Sequence, residues 1–191
     1  MNLFGRLAYT GSCLFELARG IILIGVALTL IHLFIATVFI VEGVSMEPNF
    51  HTGELVAVDR ATYLFGTPAR GDVVVLRFPG DPDHRKYIKR LLALPGETIE
   101  IREGSVYVNG EQLEEPYLDT GELTYETLPN KATWTLGEEE YFLIGDNRDN
   151  SSDSRTWGPA SKRFLIGRAI LVAWPLADLN LVPSEEYNLS K

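Results

Sequence analysis

The longest apolar run of the chain lies near its N-terminus and predicts a membrane-spanning helix. Residues 21–41 carry no charged side chain and are interrupted only by Thr29, His32 and Thr37. A helix of about 21 residues is roughly 30 Å long, which matches the core of a bilayer. A buried core helix and a cleaved signal peptide are alternatives, but the first usually has a polar stripe and the second a shorter apolar run. We therefore predict a retained anchor over residues 20–41.

After the anchor, short apolar runs separated by turn residues predict a β-rich domain. Thr98–Arg102 and Ser105–Val108 alternate in polarity around Glu103-Gly104, which predicts a hairpin closed by Asn109-Gly110. Further strands are predicted at residues 55–58, 72–78, 87–94, 140–144 and 167–174. Because no long amphipathic helix intervenes, the fold class is mainly β, with curled antiparallel sheets. Residues 114–139 are rich in acids, Thr and Pro and are predicted to form a small inserted cap.

The charges that flank the anchor predict its orientation. Two arginines and one acid precede it, and two acids follow it closely: Arg6, Arg19, Glu16, Glu42 and Glu47. The positive-inside rule places the N-terminus of such a chain in the cytoplasm. We therefore expect a single-pass protein of the cell membrane, with residues 1–19 cytoplasmic and residues 42–191 forming an extracytoplasmic domain.

The overall charge and the cysteine content exclude several classes of function. The net charge of −9 disfavours nucleic-acid binding. The single cysteine, Cys13, precedes the anchor, so the outer domain has no disulfide, thiol nucleophile or Cys-based metal site. His32, His51 and His84 are not at metal-ligand spacing. We expect a monomer without metal or cofactor.

Ser45 follows the anchor closely, and a serine hydroxyl needs a base before it can react as a nucleophile. His84 would complete a Ser-His-Asp triad, and sequence spacing leaves that alternative open. Lys89 is the other candidate, because strand alternation places it beside Tyr87 on an apolar face and desolvation lowers the pKa of a lysine. A snorkelling or salt-bridged strand residue is the alternative role for Lys89. Lys86 alternates to the other face and is expected to be solvated.

A polar segment follows the predicted strand at residues 140–144. Residues 145–155 read Gly-Asp-Asn-Arg-Asp-Asn-Ser-Ser-Asp-Ser-Arg, a composition that demands many local hydrogen bonds and favours Asp–Arg pairs. A calcium loop is one alternative, although Ser154 stands where that loop has glycine and Ala160 where it has a bidentate acid. A plain surface turn is the other alternative.

Behind the anchor, four segments make the chain resemble the type I signal peptidases, membrane-anchored serine proteases that cut signal peptides from exported proteins. The segments stand in the family's order: Ser45-Met46-Glu47-Pro48, residues 70–75, Tyr87–Arg90 with Leu94–Glu97, and residues 145–155. The resemblance covers nearly the whole chain. It implies a β-rich domain whose exposed apolar surface rests on the membrane.

The resemblance implies a Ser-Lys dyad in which Ser45 is the nucleophile and Lys89 the general base, acting through an acyl-enzyme. The supporting residues it implies are a serine that hydrogen-bonds and orients the base, an ion pair, a closely packed glycine and the arginine after the base: Ser151, Asp153 with Arg155, Gly145 and Arg90. It also implies shallow apolar pockets for small substrate residues at positions −1 and −3. The candidates to line them are Phe39, Val41, Met46, Val75, Tyr87 and Ile88.

The sequence departs from the family pattern at Gly43. Some members have a serine there whose hydroxyl helps to bind the oxyanion, so in this chain the oxyanion would rest on the main-chain N–H of Ser45. The expected partners are signal peptides of exported preproteins and the lipid bilayer. Rival interpretations are another Ser-Lys protease, such as the soluble self-cleaving repressors, and an anchored, non-catalytic peptide-binding relative.

Overall fold

Short strands make up most of the chain. A computed structural model describes residues 15–29, 35–78, 80–81, 85–129, 131–183 and 187. Residues 15–29 are helical (α1), and α2 (Ala61–Phe65) and α3 (Ser154–Trp157) are short helices. The strands of these ranges are β1 (Ala36–Ile40), β2 (Leu55–Asp59), β3 (Val73–Arg77), β4 (Lys86–Ala93), β5 (Thr98–Arg102), β6 (Ser105–Val108), β7 (Glu111–Gln112), β8 (Thr133–Thr135), β9 (Glu140–Ile144), β10 (Ala160–Ser161), β11 (Leu165–Trp174) and β12 (Asn180–Leu181).

The larger of two antiparallel sheets carries the functional residues. Its strands lie in the order β1-β2-β11-β3-β4-β9-β10, and β12 pairs with β11. The register places Val74 of β3 opposite Lys89 of β4, and Arg90 of β4 opposite Ile144 of β9. The central strands β3 and β4 are rich in β-branched and other apolar residues, as expected for strands covered on both faces. The prediction of a mainly β fold with antiparallel sheets is therefore confirmed.

The smaller sheet contains the predicted hairpin. Its order is β7-β6-β5-β8, and Ile99 of β5 lies opposite Val108 of β6. The prediction for residues 114–139 is wrong in part, because β8 lies within this segment and pairs with β5. Trp134 is buried at the centre of β8, so burial of one large aromatic side chain turns part of the expected cap into a strand.

The predicted anchor over residues 20–41 is wrong at its C-terminal end. Residues 36–40 form β1, which pairs with β2 from Ala36 opposite Asp59 to Ile40 opposite Leu55. These residues are apolar because they pack on the sheet, and their β-branched and aromatic side chains favour a strand. Residues 30–34 lie outside the described ranges. In the part of the chain that the structure describes, no helix has both the length and the apolar character needed to cross a bilayer.

Three clusters of buried apolar side chains hold the sheets together. One fills the space between the small sheet and β9 and includes Ile99, Trp134 and Phe142. A second lies under β1, β2 and β11, and a third lies beneath α2 and includes Tyr63. Phe142 and Ile144 of β9 belong to the first cluster, so the polar segment of residues 145–155 begins directly after a strand that is fixed in the core.

Candidate active site

Ser45 lies on a turn that follows β1 and is held by main-chain hydrogen bonds. The N–H of Phe50 donates to the carbonyl of Met46 at 2.9 Å, and Met46 is itself buried. Asn147 fixes the turn from the other side, since its N–H donates to the carbonyl of Ser45 at 3.1 Å and its side chain to the carbonyl of Val44 at 3.1 Å. Ser45 itself is half-buried, so part of this residue remains accessible to solvent.

The structure brings Lys89 directly to this serine. The Lys89 Nζ lies 2.6 Å from the Ser45 Oγ and donates to the Ile88 carbonyl at 2.8 Å. The lysine side chain is only 1% exposed and passes the ring of Tyr87, whose centroid is 5.5 Å from the Nζ. Lys86, at the start of the same strand, is exposed as expected. The two lysines therefore differ in environment as alternation along the strand predicts.

Burial changes the protonation of Lys89. It lowers the pKa of this lysine from 10.5 to about 8, since the ammonium loses its water shell. The charges of Asp153 and Asp146 act in the opposite direction, and Arg155 reinforces the lowering. A lysine with this pKa is neutral in an appreciable fraction of molecules near neutral pH, and the neutral amine can accept a proton from the hydroxyl 2.6 Å away.

Gly145 allows the close packing that brings the Lys89 amine and the Ser45 hydroxyl together. A Cβ built on Gly145 would overlap the Ser151 Oγ and the Ser45 carbonyl oxygen, and would lie 2.6 Å from the Ser151 Cβ. The absence of a side chain at residue 145 therefore lets β9 approach the turn that carries Ser45. Ser151 is placed beside the site, but the expected hydrogen bond to Lys89 is not formed. Its Oγ is buried without a hydrogen-bond partner among the described residues, and the Lys89 amine instead contacts the Ile88 carbonyl and the Ser45 hydroxyl.

Asp153 and Arg155 form the expected ion pair. The Arg155 Nε and Nη2 donate to the two carboxylate oxygens of Asp153 at 2.9 and 2.8 Å, and both side chains are almost fully buried. Asp153 also accepts a hydrogen bond from the N–H of Gly145 at 3.1 Å. The Arg155 Nη2 donates in addition to the carbonyl of Arg148 at 2.7 Å. The pair thus fixes both ends of the polar segment behind Lys89.

Arg90 has a partner that sequence reasoning did not identify. Its Nε and Nη2 donate to the two carboxylate oxygens of Asp146 at 2.9 and 2.7 Å, and its guanidinium stacks 3.8 Å from the centroid of the Tyr117 ring. Asn49 donates to the same carboxylate at 2.9 Å. The position of Asp146 inside the polar segment indicates that it pairs with an arginine. Which arginine it binds depends on the pairing of β4 with β9, which the sequence does not reveal.

A second buried pair joins the polar segment to residues 114–139. The guanidinium of Arg148 binds the carboxylate of Glu115, with its Nη2 2.5 Å from one oxygen and its Nη1 3.1 Å from the other, and its Nε donates to the carbonyl of Gly145 at 3.1 Å. Arg148 is 3% exposed. The acidic residues of this segment are therefore in part structural partners of the loop behind the candidate site.

A groove of about 640 Å³ runs between β1 and the start of β4, next to the turn of Ser45. Two of the candidates from the sequence, Phe39 and Tyr87, line it, together with Val38, Ile40 and three charged residues: Glu42, Arg85 and Lys86. The other four candidates do not line this groove. They are 1–2% exposed and pack in the core beneath the groove, because their side chains face inward: Val41, Met46, Val75 and Ile88.

Gly43 has a conformation that explains its identity. Its φ is +89°, a region that residues with a side chain rarely adopt, and its carbonyl accepts a hydrogen bond from the Thr52 Oγ1 at 2.9 Å. A serine at residue 43 would be strained in this turn. The departure from the family pattern therefore matches the local backbone.

The alternatives drawn from the sequence have different outcomes. His84 lies outside the described residues, whereas His51 is exposed and hydrogen-bonds Glu54 at 3.3 Å. The calcium interpretation conflicts with Asp153, whose two carboxylate oxygens already accept hydrogen bonds from Arg155 and Gly145. Within the described ranges, no three His, Cys, Asp or Glu side chains are arranged to hold a metal ion.

Comparison with known proteins identifies the family. Residues 14–174 match the family described as Signal peptidase, peptidase S26. Signal peptidase I of Bacillus licheniformis is 36% identical over 172 residues, covering 87% of this chain and 91% of that protein. Signal peptidase IB of Staphylococcus aureus (strain N315) is 32% identical over 179 residues, covering 85% of this chain and 92% of that protein. A crystal structure of a signal peptidase I from Enterococcus faecalis V583 is 34% identical, covers 53% of this chain and 96% of that chain, and has a TM-score of 0.46. The chain therefore belongs to the signal peptidase family, peptidase S26, and is a serine endopeptidase.

Proposed function

We propose that this protein is a membrane-anchored signal peptidase I in which Ser45 is the nucleophile and Lys89 its general base. The protein removes signal peptides from exported preproteins by hydrolysis of one peptide bond. The observation that carries the dyad is the 2.6 Å separation of the Lys89 Nζ and the Ser45 Oγ, with the lysine only 1% exposed. A solvent-exposed lysine would keep a pKa of about 10.4 and would be protonated near neutral pH.

The first half of the reaction is acylation. Neutral Lys89 takes the proton of the Ser45 hydroxyl while the Oγ attacks the scissile carbonyl carbon. The main-chain N–H of Ser45 donates to the developing oxyanion, because Gly43 has no hydroxyl to contribute. Protonated Lys89 then gives its proton to the leaving amine, the C–N bond breaks, and the acyl group stays on Ser45.

The second half is deacylation. Lys89 is neutral again and takes a proton from a water molecule that attacks the ester carbonyl. The ester bond to Ser45 breaks and the serine oxygen recovers its proton from Lys89. One amine thus acts in turn as base and acid, as histidine does in the better-known triads. The two ion pairs Asp153–Arg155 and Arg90–Asp146 hold the amine and the turn of Ser45 in place.

The substrate binds as an extended strand in the groove beside β1. Within the described ranges this strand is at the edge of the large sheet, and its outer side can receive main-chain hydrogen bonds from a peptide. The groove is lined by Phe39 and Tyr87 and ends near the turn of Ser45, so small residues at positions −1 and −3 fit close to the hydroxyl.

The N-terminal apolar segment attaches the enzyme to the cell membrane, with residues 1–19 cytoplasmic and the catalytic domain extracytoplasmic. In α1 the residues 20–29 are apolar apart from Thr29, and they contain no charge. The enzyme acts as a monomer on substrates whose signal peptides lie in the same bilayer. Shared confinement to two dimensions raises the effective concentration of enzyme and substrate.

The dyad is tested by cleavage of a purified preprotein by the full chain in neutral detergent micelles. We expect Ser45→Ala and Lys89→Met each to lower kcat/KM by at least about a thousandfold, because each removes a group that acts in the chemical step. Met preserves the length of the lysine side chain but cannot accept a proton.

Two controls make the result specific. Lys131→Met changes an exposed lysine near the small sheet and should cleave like the parent. His84→Ala should also cleave like the parent, since a lysine and not a histidine is the base. Loss of cleavage in His84→Ala together with full activity in Lys89→Met would replace the dyad by a triad.

A further inference from the structure

A second cavity lies on the face of the large sheet that α2 covers, and its Arg77 is paired across β3 and β4 with Lys86 of the groove beside Ser45. It has a volume of about 180 Å³ and is lined by three arginines, Arg60, Arg77 and Arg163, together with apolar side chains such as Leu64 and Phe164. Of the residues that the structure describes, no acidic one lines it. The catalytic proposal makes no use of these residues.

The three arginines differ from the buried arginines of the site. Arg90, Arg148 and Arg155 each bind a carboxylate bidentately. Across the described residues, Arg60, Arg77 and Arg163 form neither an ion pair nor a hydrogen bond through their side chains, and the Arg163 guanidinium stacks 4.8 Å from the centroid of the Phe164 ring. Three like charges around one cavity repel one another unless an anion lies between them.

The walls of this cavity are tied together. Tyr63 of α2 donates to Asp72 at 2.9 Å, which fixes the helix on the sheet. On the other side, the Lys162 Nζ donates to the carbonyl of Gly66 at 3.2 Å, which joins the end of α2 to the 3₁₀ turn that carries Arg163. The arginines therefore project from a preformed frame, and an anion would bind without ordering a loop.

The cavity also lies close to where the chain leaves the apolar segment. The N–H of Arg60 donates to the carbonyl of Ile35 at 2.8 Å. Ile35 is six residues after Thr29 of α1, and six residues span no more than about 21 Å. Next to the arginines, Leu64 is 54% and Phe65 87% exposed. Guanidinium groups flanked by exposed apolar side chains are typical of a surface that contacts the headgroup layer of a membrane.

We propose that the cavity lined by Arg60, Arg77 and Arg163 binds a phosphate group, and that this phosphate belongs to the headgroup of an anionic phospholipid. The guanidinium fork matches phosphate oxygens in geometry and charge. The phosphate chemistry depends on the arginines alone. The choice of a lipid as its source rests on the membrane attachment proposed above.

The overall charge makes such a site useful. The chain has a net charge of −9, so an anionic membrane repels the protein as a whole. A local cluster of three positive charges reverses this repulsion at one point. Occupation of the cavity by a headgroup would hold the face that carries α2 against the bilayer and so limit the rotation of the domain about its anchor.

The test uses the full chain in neutral detergent micelles and measures binding by isothermal titration calorimetry. The probes are dihexanoyl phosphatidylglycerol, dihexanoyl phosphatidylcholine and inorganic phosphate. The test variant is Arg60→Gln with Arg163→Gln. The control variant is Arg102→Gln with Lys131→Gln, which removes the same charge from the region of the small sheet.

We expect saturable binding of phosphatidylglycerol by the parent, with affinity at least about tenfold lower in the Arg60/Arg163 variant because charge-assisted contacts are lost. The control variant should bind within about twofold of the parent. Equal affinity of parent and Arg60/Arg163 variant would overturn the site. The anionic lipid would be overturned as the ligand if the parent bound phosphatidylcholine as tightly as phosphatidylglycerol. Tighter binding of inorganic phosphate than of phosphatidylglycerol would have the same meaning.

The outcome is separable from the proposed function. Cleavage of a preprotein in micelles without anionic lipid should be unchanged in the Arg60/Arg163 variant, and Ser45→Ala should bind phosphatidylglycerol like the parent. Failure of the lipid titration would therefore leave the dyad standing, and failure of the dyad test would leave the phosphate site standing.

Discussion

The pH dependence of cleavage follows from the environment of Lys89. Burial lowers the pKa of this lysine from 10.5 to about 8, and only the neutral amine can take the proton of Ser45. At pH 7 about one-tenth of the molecules then carry a neutral amine, whereas an unperturbed lysine would be neutral in only about 0.03% of them. The buried position thus raises the population of competent enzyme at pH 7 by roughly 300-fold.

The assay is a profile of kcat/KM between pH 5.5 and 10 for the full chain acting on a peptide without titratable side chains near the cut. This parameter reports the free enzyme. We expect kcat/KM to rise about tenfold per pH unit below a midpoint near pH 8 and to level off above it. Lys131→Met should shift nothing, since that lysine is exposed and distant from the dyad.

Three results would refute this reasoning. A flat profile would show that no group with a pKa in this range must lose a proton. A midpoint near 6.5 would indicate that a histidine titrates in the reaction. His84 would be excluded as that histidine only if the His84→Ala variant kept the same midpoint. A midpoint near 10.4 would mean that Lys89 is solvated in the working enzyme.

Three further predictions concern the stability of the site. Lys89→Met should raise the free energy of unfolding at pH 7 by about 1–3 kcal/mol, because it removes a buried amine that is costly to protonate. This gain should shrink from pH 8 to 10.5, where the lysine binds fewer protons in the native than in the unfolded protein, and urea titrations at several pH values measure the gain. Gly145→Ala should cost about 1–3 kcal/mol and most of the activity, because its Cβ overlaps the carbonyl of Ser45. Asp146→Ala should cost about 3–5 kcal/mol, measured by urea unfolding at pH 7, because it leaves Arg90 buried without its partner.

Matched variants separate these effects from general damage. Asp149→Ala removes an exposed acid from the same polar segment and should change the free energy of unfolding by less than about 0.5 kcal/mol. If Asp149→Ala and Asp146→Ala change the free energy of unfolding equally, the buried Arg90–Asp146 pair does not stabilise the fold more than an exposed acid does. If Gly145→Ala keeps parental stability and activity, β9 has room that the structure does not show.

The parts of the fold that the sequence predicted are those with a local cause. The hairpin of Thr98–Arg102 and Ser105–Val108 follows from alternation and turn residues a few positions apart. Lys89 is buried and Lys86 exposed because side chains alternate along β4. Such features depend on neighbours in the chain, so a single sequence contains them.

Other features depend on contacts between distant segments. The ion pair of Arg90 with Asp146 joins residues 56 positions apart, and only the pairing of β4 with β9 brings them together. The sequence predicts that the residues of β1 belong to the anchor, because an apolar run is compatible with a buried strand as well as with a bilayer-spanning helix. The β-branched residues in Ala36–Ile40 were a local signal for a strand, but the continuity of the apolar run outweighed it.

The open side of β1 has a consequence for handling the enzyme. Among the described residues no strand pairs with the outer side of β1, and unpaired main-chain groups are a template for any extended chain, including the same strand of another molecule. The net charge of −9 keeps copies apart at low ionic strength, and salt screens that repulsion. Concentrated preparations in high salt should therefore self-associate through β1, and a peptide occupying the groove should keep them dispersed.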